Sequence, residues 1–149
     1  MVVSVAVAML DGAFAALTIT ESTSPTLGTL VGGPGGRNFI LNTDGTVSGT
    51  DSADYLFGAA AGDLSVKKTG GAQSANIKAE NITTSGGVSV NSVPCSWDGG
   101  SQTTCDGSGI NVTVQGNKTL LVGVDLDTTQ THAGGDNPTV TYDINITLL

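Results

Sequence analysis

Cys95 and Cys105 are the chain's two thiols, and nine residues, SWDGGSQTT, separate them. A pair at this spacing has three chemical options: a metal clip, a nucleophile or a disulfide. No companion Cys or His completes a zinc set. The intervening stretch is rich in turn formers, which suits a disulfide pinning a hairpin tip and implies an oxidising compartment. Closing so short a loop stabilises a fold by about 2–3 kcal/mol in the chain-entropy model.

The other reactive candidates are sparse. His132, the lone histidine, sits in THAGGDNP, which reads as a turn without apolar surroundings to tune an imidazole. No Gly-x-Ser-x-Gly elbow occurs. No catalytic residue, cofactor or enzymatic activity is expected. Asp125 and Asp127 share the outward face of one strand, about 7 Å apart. Asp44, Asp51 and Asp54 cluster in a loop-rich stretch. No calcium loop of the D-x-[DN]-x-[DN]-G type is present, so these carboxylates read as solvated and no metal site is expected. Asn81, Asn111, Asn117 and Asn145 each begin an N-x-Thr sequon, and Asn111 and Asn145 are expected to point outward, open to glycosylation. Trp97 lies in the cysteine loop and is expected to pack over the disulfide. Gly32 to Gly36 (GGPGG) resembles a phosphate loop only in glycine count, lacking a following helix or Lys.

These residues need elements to hold them, and composition says which kind. The 149 residues include 22 glycines, with 12% charged and 4% aromatic side chains. Low charge with abundant Thr and Val points to a β-rich, turn-rich domain rather than disorder. The net charge of −8 with five Lys+Arg leaves no basic patch for nucleic acid. No apolar run approaches the ~20 residues of a membrane helix.

From Ala16 onward, short alternating runs are separated by Gly, Asp and Asn turns. In ALTITE, Leu17 and Ile19 face inward and Thr18 and Thr20 outward. RNFILN turns at Thr43-Asp44-Gly45 into a second strand, a hairpin by its Asp-Gly. Gly70-Gly71 reads as another hairpin turn, between Leu64–Lys68 and Ser74–Glu80. Ile110–Gln115 and Lys118–Asp127 follow, the latter with Leu120, Val122, Val124 and Leu126 on one side. In the last strand Val140, Tyr142, Ile144, Ile146 and Leu148 form one stripe. Many short strands without a sustained helical period predict an all-β protein, an immunoglobulin-like β-sandwich.

Ahead of that domain stands VVSVAVAML, Val2 to Leu10, with Val3, Val5, Val7 and Met9 on one face. The period of two marks a half-buried strand. A strand tethered outside a complete domain invites pairing with a sheet edge in another molecule. The expected organisation is a donor strand over 1–10, a linker over 11–15 and a β-sandwich over 16–149. Burying four such knobs would contribute roughly 6–12 kcal/mol before ordering costs. The rival reading is a signal remnant, since Ala13-Phe14-Ala15 is a small-x-small cleavage pattern. No Lys or Arg precedes the apolar run and Asp11 interrupts it, which favours the strand.

The run ALTITESTSPTLGTLVGGPGGRNFILNTDGTVS resembles the opening of a family of secreted bacterial proteins named only as a domain of unknown function. The matching positions are Leu17-Thr18-Ile19-Thr20, Leu27-Gly28-Thr29-Leu30, Gly32 to Gly36 and Asp44-Gly45, with Thr139–Leu148 as the family's final strand. That family is similar to spore-coat-U-like and fimbrial subunits. The resemblance implies an immunoglobulin-like sandwich assembled through donor strands. Leu27 stands where an aromatic is common, and the Cys95–Cys105 loop is not a general feature.

The expectation is therefore a secreted, extracellular subunit of a cell-surface filament or pilus, whose partner is itself, head to tail, with host or neighbour-cell surfaces as further contacts. A monomeric secreted binding module of the adhesin or carbohydrate-binding kind is the alternative.

Overall fold

The computed structural model describes residues 2–8, 17–133 and 136–149. The fourth expected knob, Met9, and the linker, 11–15, lie outside them. The chain is all-β: among the described residues there is no α-helix, only a 3-10 turn at Ser52–Asp54. Among the described residues no helix is long and apolar enough to cross a membrane.

Seven strands make the larger sheet. They are β1 (Val2–Ala8), β2 (Leu17–Thr23), β7 (Gly62–Ser85), β9 (Pro94–Trp97), β10 (Thr103–Thr104), β11 (Ile110–Val122) and β13 (Thr139–Leu148). Their spatial order is β1-β13-β7-β11-β9-β10, with β2 also on β7. A second sheet of four has the order β5-β4-β12-β8, formed by β4 (Asn38–Leu41), β5 (Val47–Ser48), β8 (Val88–Ser92) and β12 (Val124–Thr128). A small ribbon pairs β3 (Thr29–Leu30) with β6 (Tyr55–Phe57). Phe39, Leu41, Val124 and Leu126 from the second sheet share one buried core with Leu64, Ile77, Leu120 and Tyr142 from the first. The result is sandwich-like, and among the described residues every strand pair is antiparallel except β1 with β13.

The cleanest sequence patterns become the centre of this core. Val140, Tyr142, Ile144 and Ile146 are all buried, while Thr141 and Thr147 are exposed, as a period of two requires. Asn42 to Thr46 forms the expected turn. Asn42 N donates to Thr46 O at 2.9 Å, and Gly45 takes φ +82°, a conformation open to glycine.

Two expected boundaries move. Gly70-Gly71 does not turn a hairpin: β7 runs 24 residues through it, and both halves pair with β11. The register jumps between Val114, opposite Gln73, and Gly116, opposite Lys68. Thr69 to Ala72 therefore bulges out against Gln115 alone. Lys68, 5% exposed, closes the bulge by donating from Nζ to Gly71 O at 2.7 Å. A hairpin and a large bulge use the same glycines, so composition does not separate them.

The run Lys118–Asp127 is not one strand. Leu120 and Val122 belong to β11 in the first sheet, and Val124 and Leu126 to β12 in the second. The chain changes sheets at Gly123. A Cβ there would collide with the carbonyl oxygen of Leu41, so the corner admits only glycine. All four apolar side chains stay buried because the corner turns around the core.

Candidate functional site

The sheet edge formed by β1 and β13 is where most of the expected donor strand lies, and it is built from the last strand outward. β13 is antiparallel to β7 over Thr139–Ser85 to Leu148–Ala75. A bulge interrupts this ladder between Thr141 and Asp143, where Asn81 adopts φ +51°. On its other side β13 carries β1 in parallel. Val3, Val5 and Val7 pair with Val140, Tyr142 and Ile144, and Ser4, Ala6 and Ala8 with Thr141, Asp143 and Asn145. The three valine positions are level, in register, with the buried residues of β13. Among the described residues β1 is the last strand of its sheet, and β13 is its one ladder partner.

Tyr142 anchors this edge to the corner between the sheets. Its side chain is buried, and its hydroxyl donates to Gly123 O at 3.1 Å. Burial, helped by the nearby charge of Glu21, holds the phenol far above its ordinary pKa. Gly123 N in turn donates to Pro94 O at 2.8 Å, tying the corner to the strand that carries Cys95.

Cys95 and Cys105 form a disulfide with Cα atoms 5.8 Å apart. They close the β9–β10 hairpin, in which Thr103 pairs with Cys95. Both are fully buried, and Trp97 packs against the core as a half-buried side chain. The bridge lies inside the fold rather than at an exposed tip.

Arg37, unremarked in the sequence, is a buried cation. Its guanidinium donates from Nη1 to Asp54 at 2.8 Å and from Nη2 to Val31 O at 2.9 Å, and lies over the Phe39 ring. It borders a cavity of about 310 Å³ together with Val31, Val88, Leu126 and His132. His132 departs from expectation: it is 9% exposed, with apolar neighbours along this cavity. Its backbone bridges Gly33, and Nε2 meets Gly87 O at 3.1 Å. Asp136 stands 3.6 Å from Nδ1. Through its backbone and Nε2, His132 clamps the loops at Gly33 and Gly87 together. The one available signal was an arginine next to a glycine run in a chain with few cations.

The aspartates divide among separate tasks. Asn38 Nδ2 donates to Asp125 at 2.8 Å and to Asp127 at 2.9 Å. Its backbone N donates to Asp51 at 2.8 Å. Donors from Thr50 and Asn38 hold the Asp51 carboxyl below its ordinary range, and those of Thr46 do the same for Asp44. An amide sits between the two strand carboxylates, where a cation would need oxygen ligands. Among the described residues no cluster of His, Cys, Asp or Glu suits a metal ion.

The sequons are scattered. Asn81, Asn111 and Asn117 are exposed. Asn81 Nδ2 donates to Asp143 at 2.6 Å, while Asn111 and Asn117 accept from Asn76 and Ser65. Asn145 is only half-exposed, with its amide on Glu80 at 3.4 Å, because β1 runs alongside it. No family model, curated protein or solved structure matches this chain.

Proposed function

We propose that this protein is a structural subunit of an extracellular filament or pilus, an immunoglobulin-like sandwich that polymerises by donating its N-terminal strand to a neighbour. One observation carries the proposal: the parallel register that sets Val3, Val5 and Val7 level with Val140, Tyr142 and Ile144. A strand that pairs with a single edge, and whose apolar set matches the core stripe of that edge, is equivalent whether it comes from its own chain or the next. Exchange of such an element between identical chains is a low-cost route to assembly, and a head-to-tail contact that does not close makes a fibre. The buried Cys95–Cys105 bridge suits a secreted location. Asn81, Asn111 and Asn117 are then surface positions for glycans, with Asn145, half-exposed beside β1, the more hindered fourth sequon, and adhesion to host or neighbouring cells is the role of the assembled filament.

The test is the double variant Val5→Asp/Val7→Asp. Two carboxylates on the apolar face of the strand impose desolvation costs that no partner offsets. The expected result is loss of sedimentable polymer with a folded, soluble domain remaining. Unchanged assembly would sink the proposal. A monomeric binding module would instead offer an aromatic platform, and among the described residues the exposed large hydrophobics, Val31, Leu56, Phe57, Ile82 and Leu149, include one aromatic ring.

A further inference from the structure

Resting on the filament proposal, we infer that the acceptor in the neighbouring subunit is the outer edge of β13. The incoming β1 runs parallel to it, with Val3, Val5 and Val7 level with Val140, Tyr142 and Ile144 of the neighbour. Polymerisation is then an exchange of contacts that β1 already makes on its own chain, and the length of segment 9–16 governs the balance between the two.

Two outer edges compete as acceptors on this side of the larger sheet. β2 and β13 lie end to end along β7, on Asp63–Lys68 and Ala75–Ser85, and β2 has no ladder partner other than β7 among the described residues. Their side chains differ. β2 buries only Ile19, with Leu17 and Glu21 half-exposed, so an apolar strand there would lie beside a weak stripe and a carboxylate. β13 buries Val140, Tyr142, Ile144 and Ile146, and a strand beside it completes the cover of a continuous core. Val2–Ala8 carries no charge, so Asp143 in the outward row meets no like charge from it.

The length of 9–16 decides which copy of β13 is used. Ala8 is level with Asn145, which pairs with Lys78, and Leu17 pairs with Lys68. On β11, Ile110 opposes Ile77 and Gly116 opposes Lys68, so the two ends stand about seven strand steps apart, roughly 23 Å along the sheet. Eight residues supply nine Cα links, reaching ~32 Å at most. Self-pairing therefore has little slack. Deleting residues 12–15 leaves five links and a reach of ~18 Å, too short for the chain's own β13 while a neighbour's remains open. Inserting ten Gly/Ser residues relaxes the constraint and raises the effective concentration of the chain's own edge.

Two full-length variants, Ser4→Cys and Thr141→Cys, mixed under assembly conditions and oxidised, test the acceptor edge, because these positions are register partners and Cys95 and Cys105 are already bonded. The expected product is a disulfide between different chains, with none when Ser4→Cys is mixed with Thr18→Cys on β2. The 12–15 deletion is expected to assemble at a concentration at least tenfold lower, and the insertion at a higher one. Filaments in which Ser4→Cys bonds to Thr18→Cys would overturn the β13 edge and leave the filament proposal standing. A Ser4→Cys/Thr141→Cys double variant that bonds only within its own chain, with no filaments, would overturn both.

Discussion

The hydroxyl of Tyr142 donates to the carbonyl of Gly123 at 3.1 Å, joining the middle of the last strand to the corner where the chain leaves one sheet for the other. The same residue is level with Val5 on the edge strand. Core, corner and the β1–β13 edge thus meet at one residue.

Tyr142→Phe removes that bond while keeping the ring. A lost hydrogen bond at a buried site costs about 1–2 kcal/mol, readable as a lower urea midpoint at neutral pH. The phenol's pKa is raised in the fold above its ordinary 10.0, so the folded state holds the proton more tightly than the unfolded chain. Its contribution is complete below pH 10 and is lost as pH rises beyond it. The Phe variant should lack this part of the alkaline loss, so the gap between the two proteins narrows at high pH.

Replacing Cys95 and Cys105 together by Ala should lower stability by about 2–3 kcal/mol in the chain-entropy model, since the bridge closes a short loop. Both residues are buried, so lost packing adds to the deficit. Equilibrium unfolding with and without reductant checks this. Reductant should destabilise the natural chain and leave the double Ala variant unchanged.

Acid should act through Asp51, whose carboxylate accepts from Thr50 Oγ1 at 2.7 Å and Asn38 N at 2.8 Å. These bonds depress its pKa in the fold. A depressed carboxylate contributes stability that is present above its ordinary value of 3.8 and is lost as pH falls below it. Asp51→Asn should be less stable than the natural chain at pH 6, and the difference should shrink as pH falls toward 2. Urea midpoints across that range measure it.

Much of this fold was legible in the sequence because one physical rule wrote it. Alternation marked Val140 to Ile146 as a core stripe and Leu17–Ile19 as an inward pair, and Asp44-Gly45 marked a hairpin. What stayed hidden depended on partners distant in the chain. The sheet change at Gly123 is invisible in a pattern that keeps Leu120 to Leu126 inward throughout; only the approach of Leu41 O shows why glycine is required there. Gly70-Gly71 looked like a turn because a bulge needs the same residues. His132 read as a solvated turn because its cover comes from Val88, Leu126 and the loop at Gly33. At the candidate edge, the spacing of Val3, Val5 and Val7 was legible, whereas the strand they accompany and its parallel direction required coordinates.

The most direct test of the central claim is negative-stain electron microscopy of the full chain beside a chain lacking residues 1–10. Filaments from the full chain and none from the truncated one are the predicted result. Filaments from both would contradict the account, as would a full chain that stays monomeric and folded under every assembly condition.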